Sequence, residues 1–444
     1  MNSTVRLRSC KKLWLGRLIV QVRNNNTRQV FLAFTDQGVC SMTNFLTGVI
    51  IGRVCTKEQL GLYTLGFSLV FLALTVQNSL VSLPYTVHAA PLHQDSSCQV
   101  YNGSTLIHQL VLSALISFFL ILFGIILWFT DIGARGLNQV IWALAATMSM
   151  ILFRQYARRI YFARLRIEKS ILLDLCVAVL QVGGILLLAH LRILSAFGAF
   201  LVTGIACASI AIISFSAFLK MFRFQLANVK STFRLHWTFG RWLLASGLIM
   251  TVATQSYLWL LSYFHGPSST GTFGACMAAV FLMNPLITGT SNYIDPKSAH
   301  VYAEGGIEEL RRIVLKAAAL LGIGAALFTL LLFGFGEWFL AVMYGDKYAG
   351  NGLIVTVLAV SNVSILMSVP ANSGLMAIKQ THIFNSSSII ALFVTIAFGS
   401  WFVMQFSALG AAVGMALAMW TSSIFRWIAL SRAIGIEAYE GGHR

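Results

Sequence analysis

Charge is scarce in this chain: only 10% of its 444 residues are Asp, Glu, Lys or Arg, 57% are apolar, and the mean hydropathy is +0.79. An ordinary soluble domain carries about 25% charged residues, so that class is excluded. Proline is limited to 6 and cysteine to 7. The cysteines show neither CxxC spacing nor paired loop positions, which argues against a disulfide framework or a zinc site and leaves them as small apolar fillers. No GxxxxGK[ST] segment occurs, so the chain carries no ATPase of that type. Alternating polar and apolar runs are also missing; the apolar runs are continuous, which selects helices over a membrane barrel.

What the chain has instead is a succession of about twelve mostly apolar stretches, each near the roughly 20 residues that cross a bilayer as a helix. They fall at Val30 to Gly52, Gly61 to Leu83, Thr105 to Phe129, Leu137 to Leu152, Ile171 to His190 and Ser195 to Leu219. The second set is Trp242 to Phe264, Gly271 to Tyr293, Val314 to Phe335, Gly352 to Met376, Ser386 to Phe406 and Leu409 to Leu430. With the N-terminus inside and strict alternation, 26 of the 31 Lys and Arg residues fall on the cytoplasmic side. Only Arg53, Lys57, Arg135, Arg192 and Lys347 lie outside. The formal charge of +17 is therefore an orientation signal rather than a nucleic-acid surface, and both termini are expected in the cytoplasm of a multi-pass cytoplasmic (inner) membrane protein.

At an offset of 210 residues, Gly61, Val70, Phe71 and Leu72 match Gly271, Val280, Phe281 and Leu282, while Leu122, Phe123, Gly124 and Trp128 match Leu332, Phe333, Gly334 and Trp338. Six spans per half is even, so the halves are expected as parallel repeats, two six-helix bundles around a central cavity. The expected organisation is a basic cytoplasmic tail (1–29), an N-terminal bundle (30–219), a basic amphipathic linker (220–241), a C-terminal bundle (242–430) and a cytoplasmic tail (431–444). The linker suits the anionic inner leaflet or serves as a plain tether. The loop Arg154 to Lys169 alternates arginine with aromatics; it is either an interfacial helix presenting Arg154 and Arg158 to phosphates or simply positive-inside topology.

Polar side chains within spans mark pathways because lipid penalises them. Gln37, Ser41, Asn44 and Gly48 form a stripe at helical spacing on the first span, beside Asp36. Gln77, Asn78 and Ser82 follow on the second, Thr251 and Gln255 on the seventh, and Asn284, Thr288 and Asn292 on the eighth. A shared aqueous cleft and hydrogen bonds that hold the bundle together are the two readings of such residues. Pro285 and Pro370 are expected kinks.

The stretch Thr35 to Phe71 (TDQGVCSMTNFLTGVIIGRVCTKEQLGLYTLGFSLVF) resembles the opening of polysaccharide exporters of the multidrug/oligosaccharidyl-lipid/polysaccharide (MOP) superfamily. The match lies in Asp36, Gln37, Ser41, Asn44, Phe45, Arg53, Glu58, Gly61, Leu62 and Tyr63, with MYGDKYAGNGLIVTVLA (Met343 to Ala359) similar in style. The resemblance implies a MATE-like, all-α fold and an alternating-access flippase for a polyprenyl-pyrophosphate-linked oligosaccharide, not an enzyme. Asp36, Gln37, Ser41, Asn44, Asn78, Gln255, Asn284, Thr288 and Asn292 would line the substrate cavity. Arg53, Arg154, Arg158 and Arg241 would meet phosphate or lipid headgroups, and Asp36 would couple to a proton or sodium gradient. No metal, cofactor or nucleic acid is expected; the partners are membrane lipids, the lipid-linked oligosaccharide and polysaccharide polymerase or assembly proteins. The alternatives are a MATE-like drug/cation antiporter, which needs intramembrane acids, and a membrane polymerase or glycosyltransferase, which would be expected to bring catalytic groups to a sizeable outer loop.

Overall fold

The computed structural model describes residues 28, 31–89, 96–130, 133–219, 221–380 and 382–441; the side chains of 96, 211–219, 292 and 436–441 lie outside that description. The basic tail expected at 1–29 falls outside it too, apart from Arg28, which pairs with Glu168. Among the described residues everything between the turns is helical. The helices are α1 (31–54), α2 (Lys57–Ala89), α3 (Ser96–Thr130), α4 (Leu137–Ala163), α5 (Ile167–His190) and α6 (Ala196–Leu219). A second set comprises α7 (226–265), α8 (267–305), α9 (307–344), α10 (Gly352–Ala377), α11 (382–406) and α12 (408–441).

Three of the boundaries are single-residue reversals inside otherwise continuous helix. Gly266 (φ 79°) separates α7 from α8, Gly306 (φ 64°) separates α8 from α9, and Ser407 (φ 50°) separates α11 from α12. Left-handed backbone costs a glycine little, which is why two of these tight reversals sit on glycine. Pro285 takes effect through a break in α8 at 282–283, just before the helix resumes at Asn284. Pro370 is accommodated inside an uninterrupted α10.

Twelve helices thus stand where twelve spans were expected, but several run further. The segment between the expected spans Gly61 to Leu83 and Thr105 to Phe129 is largely helix where it is described: α2 continues to Ala89 and α3 starts at Ser96. The segment 154–169 is not one interfacial helix; α4 reaches Ala163, Leu165 turns in the left-handed region (φ 55°), and α5 begins at Ile167. Most of the linker 220–241 is the start of α7. Backbone polar groups near lipid are satisfied most simply by prolonging a helix, so polar flanks are drawn into it.

The outer faces carry exposed Phe118, Phe119, Trp128, Phe129, Leu327, Leu330 and Phe333, as a surface solvated by acyl chains requires. Inside the bundles, small residues admit large ones. Gly66 receives the Phe200 ring, and Gly399 and Gly414 flank Tyr257.

The two bundles meet most closely where α2 crosses α8. A Cβ on Gly61 would lie 1.8 Å from the Pro267 carbonyl oxygen, and one on Gly271 would lie 2.1 Å from that of Lys57. The pairs 57/267 and 61/271 are both separated by the 210-residue repeat, so each half offers the same glycine to the same contact. Around this crossing the end of α1 is tied to the end of α9. Gly52 lies under the Tyr344 ring, Arg53 donates to the Val342 carbonyl (2.7 Å), and Lys347 donates to the carbonyl of Cys55 (2.5 Å). One end of the inter-bundle space is thereby shut. Cys276 on α8, fully buried beside this closure, reports on it. In a chain keeping Cys276 as its only cysteine, Gly61→Val is expected to raise labelling by a thiol reagent severalfold. Unchanged labelling would show that the crossing admits a side chain.

Candidate functional site

Beneath the closed end, α1, α2, α7 and α8 enclose a cavity of about 360 Å³, with Tyr344 of α9 at its edge. Its polar side chains are Gln37, Ser41 and Asn44 on α1, Thr64 and Ser68 on α2, Gln255 on α7 and Asn284 on α8. Spacings of four and three put the α1 set on one face, and Gly38 and Gly48 keep that face low. The remaining wall is largely aromatic: Phe45, Tyr63, Phe67, Phe71 and Phe281. None of the lining residues is charged.

Hydrogen bonding sorts these groups. Thr64 donates to the Leu60 carbonyl within its own helix, and Ser68 accepts from the Trp259 indole (2.9 Å). Gln37, Ser41, Asn44, Gln255 and Asn284 are accessible and make no side-chain hydrogen bond to any described residue. Four amides, each with two donors and an acceptor, therefore converge from three helices with their capacity unspent.

Other polar residues of the same spans do hold the bundle together. Gln77 donates to Gln109 (2.9 Å) and to the Leu152 carbonyl (2.6 Å), and Thr251 bonds Thr75 across the two halves (3.0 Å). Thr288 is exposed and outside the cavity, and the side chain of Asn292 lies outside the described residues. Asn78 is also exposed and accepts a hydrogen bond from Arg159 (2.9 Å).

Asp36 sits one residue from Gln37 but turns away from the cavity into the N-terminal bundle, where it is 1% exposed. It pairs with Arg158 (2.5 Å), which also approaches Asp174 (2.6 Å), and Asp174 pairs with Arg154 (2.6 Å). Two carboxylates and two guanidinium groups from α1, α4 and α5 make a neutral cluster. Cys40, Asp36 and Asp174 lie close enough together to suggest a cation site, but both arginines already supply the positive charge there.

Arg154 and Arg158 therefore face the bundle interior, where the sequence pattern had directed them toward phosphates. The signal for this was available: they are four residues apart on one helix face, and two intramembrane aspartates needed partners. Arg53 is engaged in the closed end described above, and Arg241 is exposed with its guanidinium over the Trp242 ring, 5.5 Å from the centroid.

Residues 27–291 match the family described as polysaccharide biosynthesis protein. Among solved structures the chain is similar to an inward-facing multidrug resistance MATE transporter of the MOP superfamily, with a TM-score of 0.76 and 15% identity over 89% of this chain and 94% of that one. An outward-facing MATE transporter of the superfamily gives 0.65 at 15% identity, over 93% and 96% of the two chains. A Pyrococcus furiosus MOP transporter, described as having a binding pocket of reverse polarity, gives 0.64 at 15% identity over 93% and 95%. No curated protein matches the sequence.

Removing one partner of a buried ion pair strands the other, at a cost of about 3–5 kcal/mol. Asp174→Ala should therefore lower the thermal midpoint of the detergent-solubilised protein more than alanine at any of the four cavity amides. Adding Arg154→Leu should recover part of the loss. An equal drop for Gln37→Ala would mean that the cluster is no more structural than the cavity.

Proposed function

This chain belongs to the polysaccharide biosynthesis protein family and shares the fold of MATE transporters, and from that premise we propose that it is a multi-pass transporter that flips a polyprenyl-pyrophosphate-linked oligosaccharide between leaflets by alternating access. The observation that carries the proposal is the neutral cavity with four unengaged amides. Sugar hydroxyls both donate and accept, and amides do the same, while aromatic faces suit the apolar faces of pyranose rings. A cavity of about 360 Å³ is within the ordinary range for small-ligand sites. The saccharide is the part that cannot enter lipid, so the protein needs to shelter only that part while the polyprenyl chain stays in the bilayer.

The same observation weighs against a drug/cation antiporter. Such a protein needs a carboxylate turned toward its cationic ligand, whereas Asp36 and Asp174 are spent on arginines outside the cavity. No bond-making step is proposed, and no cofactor is required.

The closed end lies where α1 finishes and α2 begins. With both termini cytoplasmic this is the outer side of the inner membrane, so the described state presents its cavity inward and corresponds to substrate loading. Coupling to a proton or sodium gradient is assigned to Asp36. Neutralising Asp36, the neighbour of Gln37 on α1, would leave Arg158 with Asp174 as its one described carboxylate partner. Polymerase or assembly proteins would take the product on the far side.

The test is transbilayer movement of a labelled polyprenyl-pyrophosphate oligosaccharide in proteoliposomes, scored by access of an added glycosidase, with and without an ion gradient. Gln37→Ala and Asn284→Ala should each slow movement roughly fivefold, the equivalent of about 1 kcal/mol for one hydrogen bond. Asp36→Asn should abolish the gradient response while movement down a substrate gradient continues. Gradient-driven efflux of organic cations without any glycan movement would replace the flippase by the antiporter.

A further inference from the structure

The end of the molecule opposite the closure carries a second hollow, separate from the central cavity. A recess of about 450 Å³ lies between the first turns of α3, which supply Ser97, Val100 and Tyr101, and the start of α7. The connection entering α7 is fastened to α3 through its backbone. Arg223 N–H donates to the Gln99 carbonyl (3.0 Å), and Asn102 Nδ2 donates to the Met221 carbonyl (3.0 Å). A Cβ on Gly103 would lie 2.4 Å from the Arg223 carbonyl oxygen, so only glycine lets the connection lie this close to the helix. Arg223 is thereby fixed as a lining residue of the recess while its side chain stays exposed.

Hydrogen bonding divides the lining into donors and acceptors. The guanidinium of Arg223 and the hydroxyl of Ser97 make no side-chain bond to a described residue, and no carboxylate lines the recess. Gln225 accepts from Asn228 (2.9 Å), which leaves its own amide N–H groups free. Ser231 and Thr232 both donate to the Asn228 carbonyl (2.9 Å each), so their oxygens remain as acceptors. The helix that follows has two contrasting faces. Thr232, His236 and Gly240 are buried, with His236 bonded to Tyr101 (2.8 Å) and Gly240 against the Ser79 carbonyl. Lys230, Arg234 and Arg241 fall on another face at spacings of four and seven, and all three are exposed. Phe224, Leu226, Phe233 and Trp237 are exposed beside them. Basic groups interleaved with aromatics complement an anionic leaflet in both charge and hydropathy.

We propose that the recess between α3 and α7 binds the headgroup of an anionic, hydroxyl-bearing phospholipid of the adjoining leaflet, with Arg223 as the phosphate ligand. A guanidinium fork donates to two phosphate oxygens at once, and Ser97 and Gln225 add neutral donors around it. The oxygens of Ser231 and Thr232 accept from the headgroup hydroxyls. Phe224 and Leu226, 57% and 81% exposed on either side of Gln225, lie where the acyl chains would leave the recess. A lipid held there bridges the N-terminal bundle and the connection to the C-terminal one. The site does not depend on what the central cavity carries.

The full chain in dodecyl maltoside is titrated with dioctanoyl phosphatidylglycerol and dioctanoyl phosphatidylcholine, and bound lipid is counted by native mass spectrometry. The wild type is expected to hold one phosphatidylglycerol roughly tenfold more tightly than phosphatidylcholine, the scale of one hydrogen bond to a charged group. Arg223→Gln should remove that preference, and Arg223→Lys should keep part of it, which separates lost charge from misfolding. Ser231→Phe, which fills the recess and leaves the charge unchanged, should also remove it. Lys230→Gln takes the same charge from the neighbouring face and should leave most of the preference in place. Equal losses in Arg223→Gln and Lys230→Gln would overturn the site, because they would mean a general attraction of anions to a basic surface. An unchanged preference in Arg223→Gln would overturn it as well. Inorganic phosphate distinguishes the source of the anion. Displacement of the lipid only at large excess supports a lipid site, whereas displacement at similar concentration would replace it by a site for free phosphate.

Discussion

The close crossing of α2 and α8 is the contact on which the rest depends. Two helices can bring their backbones together only where side chains are absent, and Gly61 and Gly271 each face the carbonyl of the other helix four residues earlier. Because the two glycines occupy equivalent places in the repeat, the contact sits on the axis that relates the bundles. Everything around the cavity takes its position from it. The ends of α1 and α9 are close enough for Arg53 and Lys347 to reach backbone carbonyls across the divide, and Tyr344 is set over Gly52 at the cavity's edge. Below the crossing the helices diverge, and the cavity is the space they leave. In the proposed alternating access this is also the contact that would yield, and its bonds are of a kind that can: charged donors on neutral carbonyls and ring contacts, with no buried ion pair among the described residues there.

Charge is handled by a second rule, which separates structure from function. Inside lipid a lone ion is costly, so the N-terminal bundle pairs Asp36 and Asp174 with Arg158 and Arg154 and buries the four groups together. That cluster fastens α1, the helix bearing most of the cavity's polar stripe, to α4 and α5. The cavity can then be neutral. Neutral amides and aromatic rings would hold the proposed saccharide less firmly than an ion pair would, which suits the flippase reading.

Much of this was legible in the sequence, and for local reasons. Hydropathy over about twenty residues, the alternation of basic flanks and the 210-residue repeat each need only the chain itself to be read. They yield the twelve helices, the parallel halves and the family resemblance. The stripe Gln37, Ser41 and Asn44 was legible for the same reason, since helical periodicity places residues on one face whatever that face meets. Gln255 and Asn284 followed from spans expected to mirror the first two.

What the chain could not reveal was which polar residue faces which partner. Gln37 and Gln77 are both glutamines in apolar helices, yet one opens into a cavity and the other is consumed by Gln109 and a carbonyl of α4. Asp36 and Gln37 are adjacent and point to different worlds. Arg158 and Arg159 are adjacent too, yet among the described residues one meets carboxylates and the other the Asn78 amide. A helix turns 100° per residue, so neighbours in sequence meet different helices, and only the packing of α1, α2, α4 and α5 decides whether each side chain finds a countercharge, a carbonyl or open space. The sequence by itself determined the number and repeat of the helices, because burial in lipid is settled segment by segment. The tertiary structure alone decided the neutral cavity, because it is a property of what lies across from a residue rather than beside it.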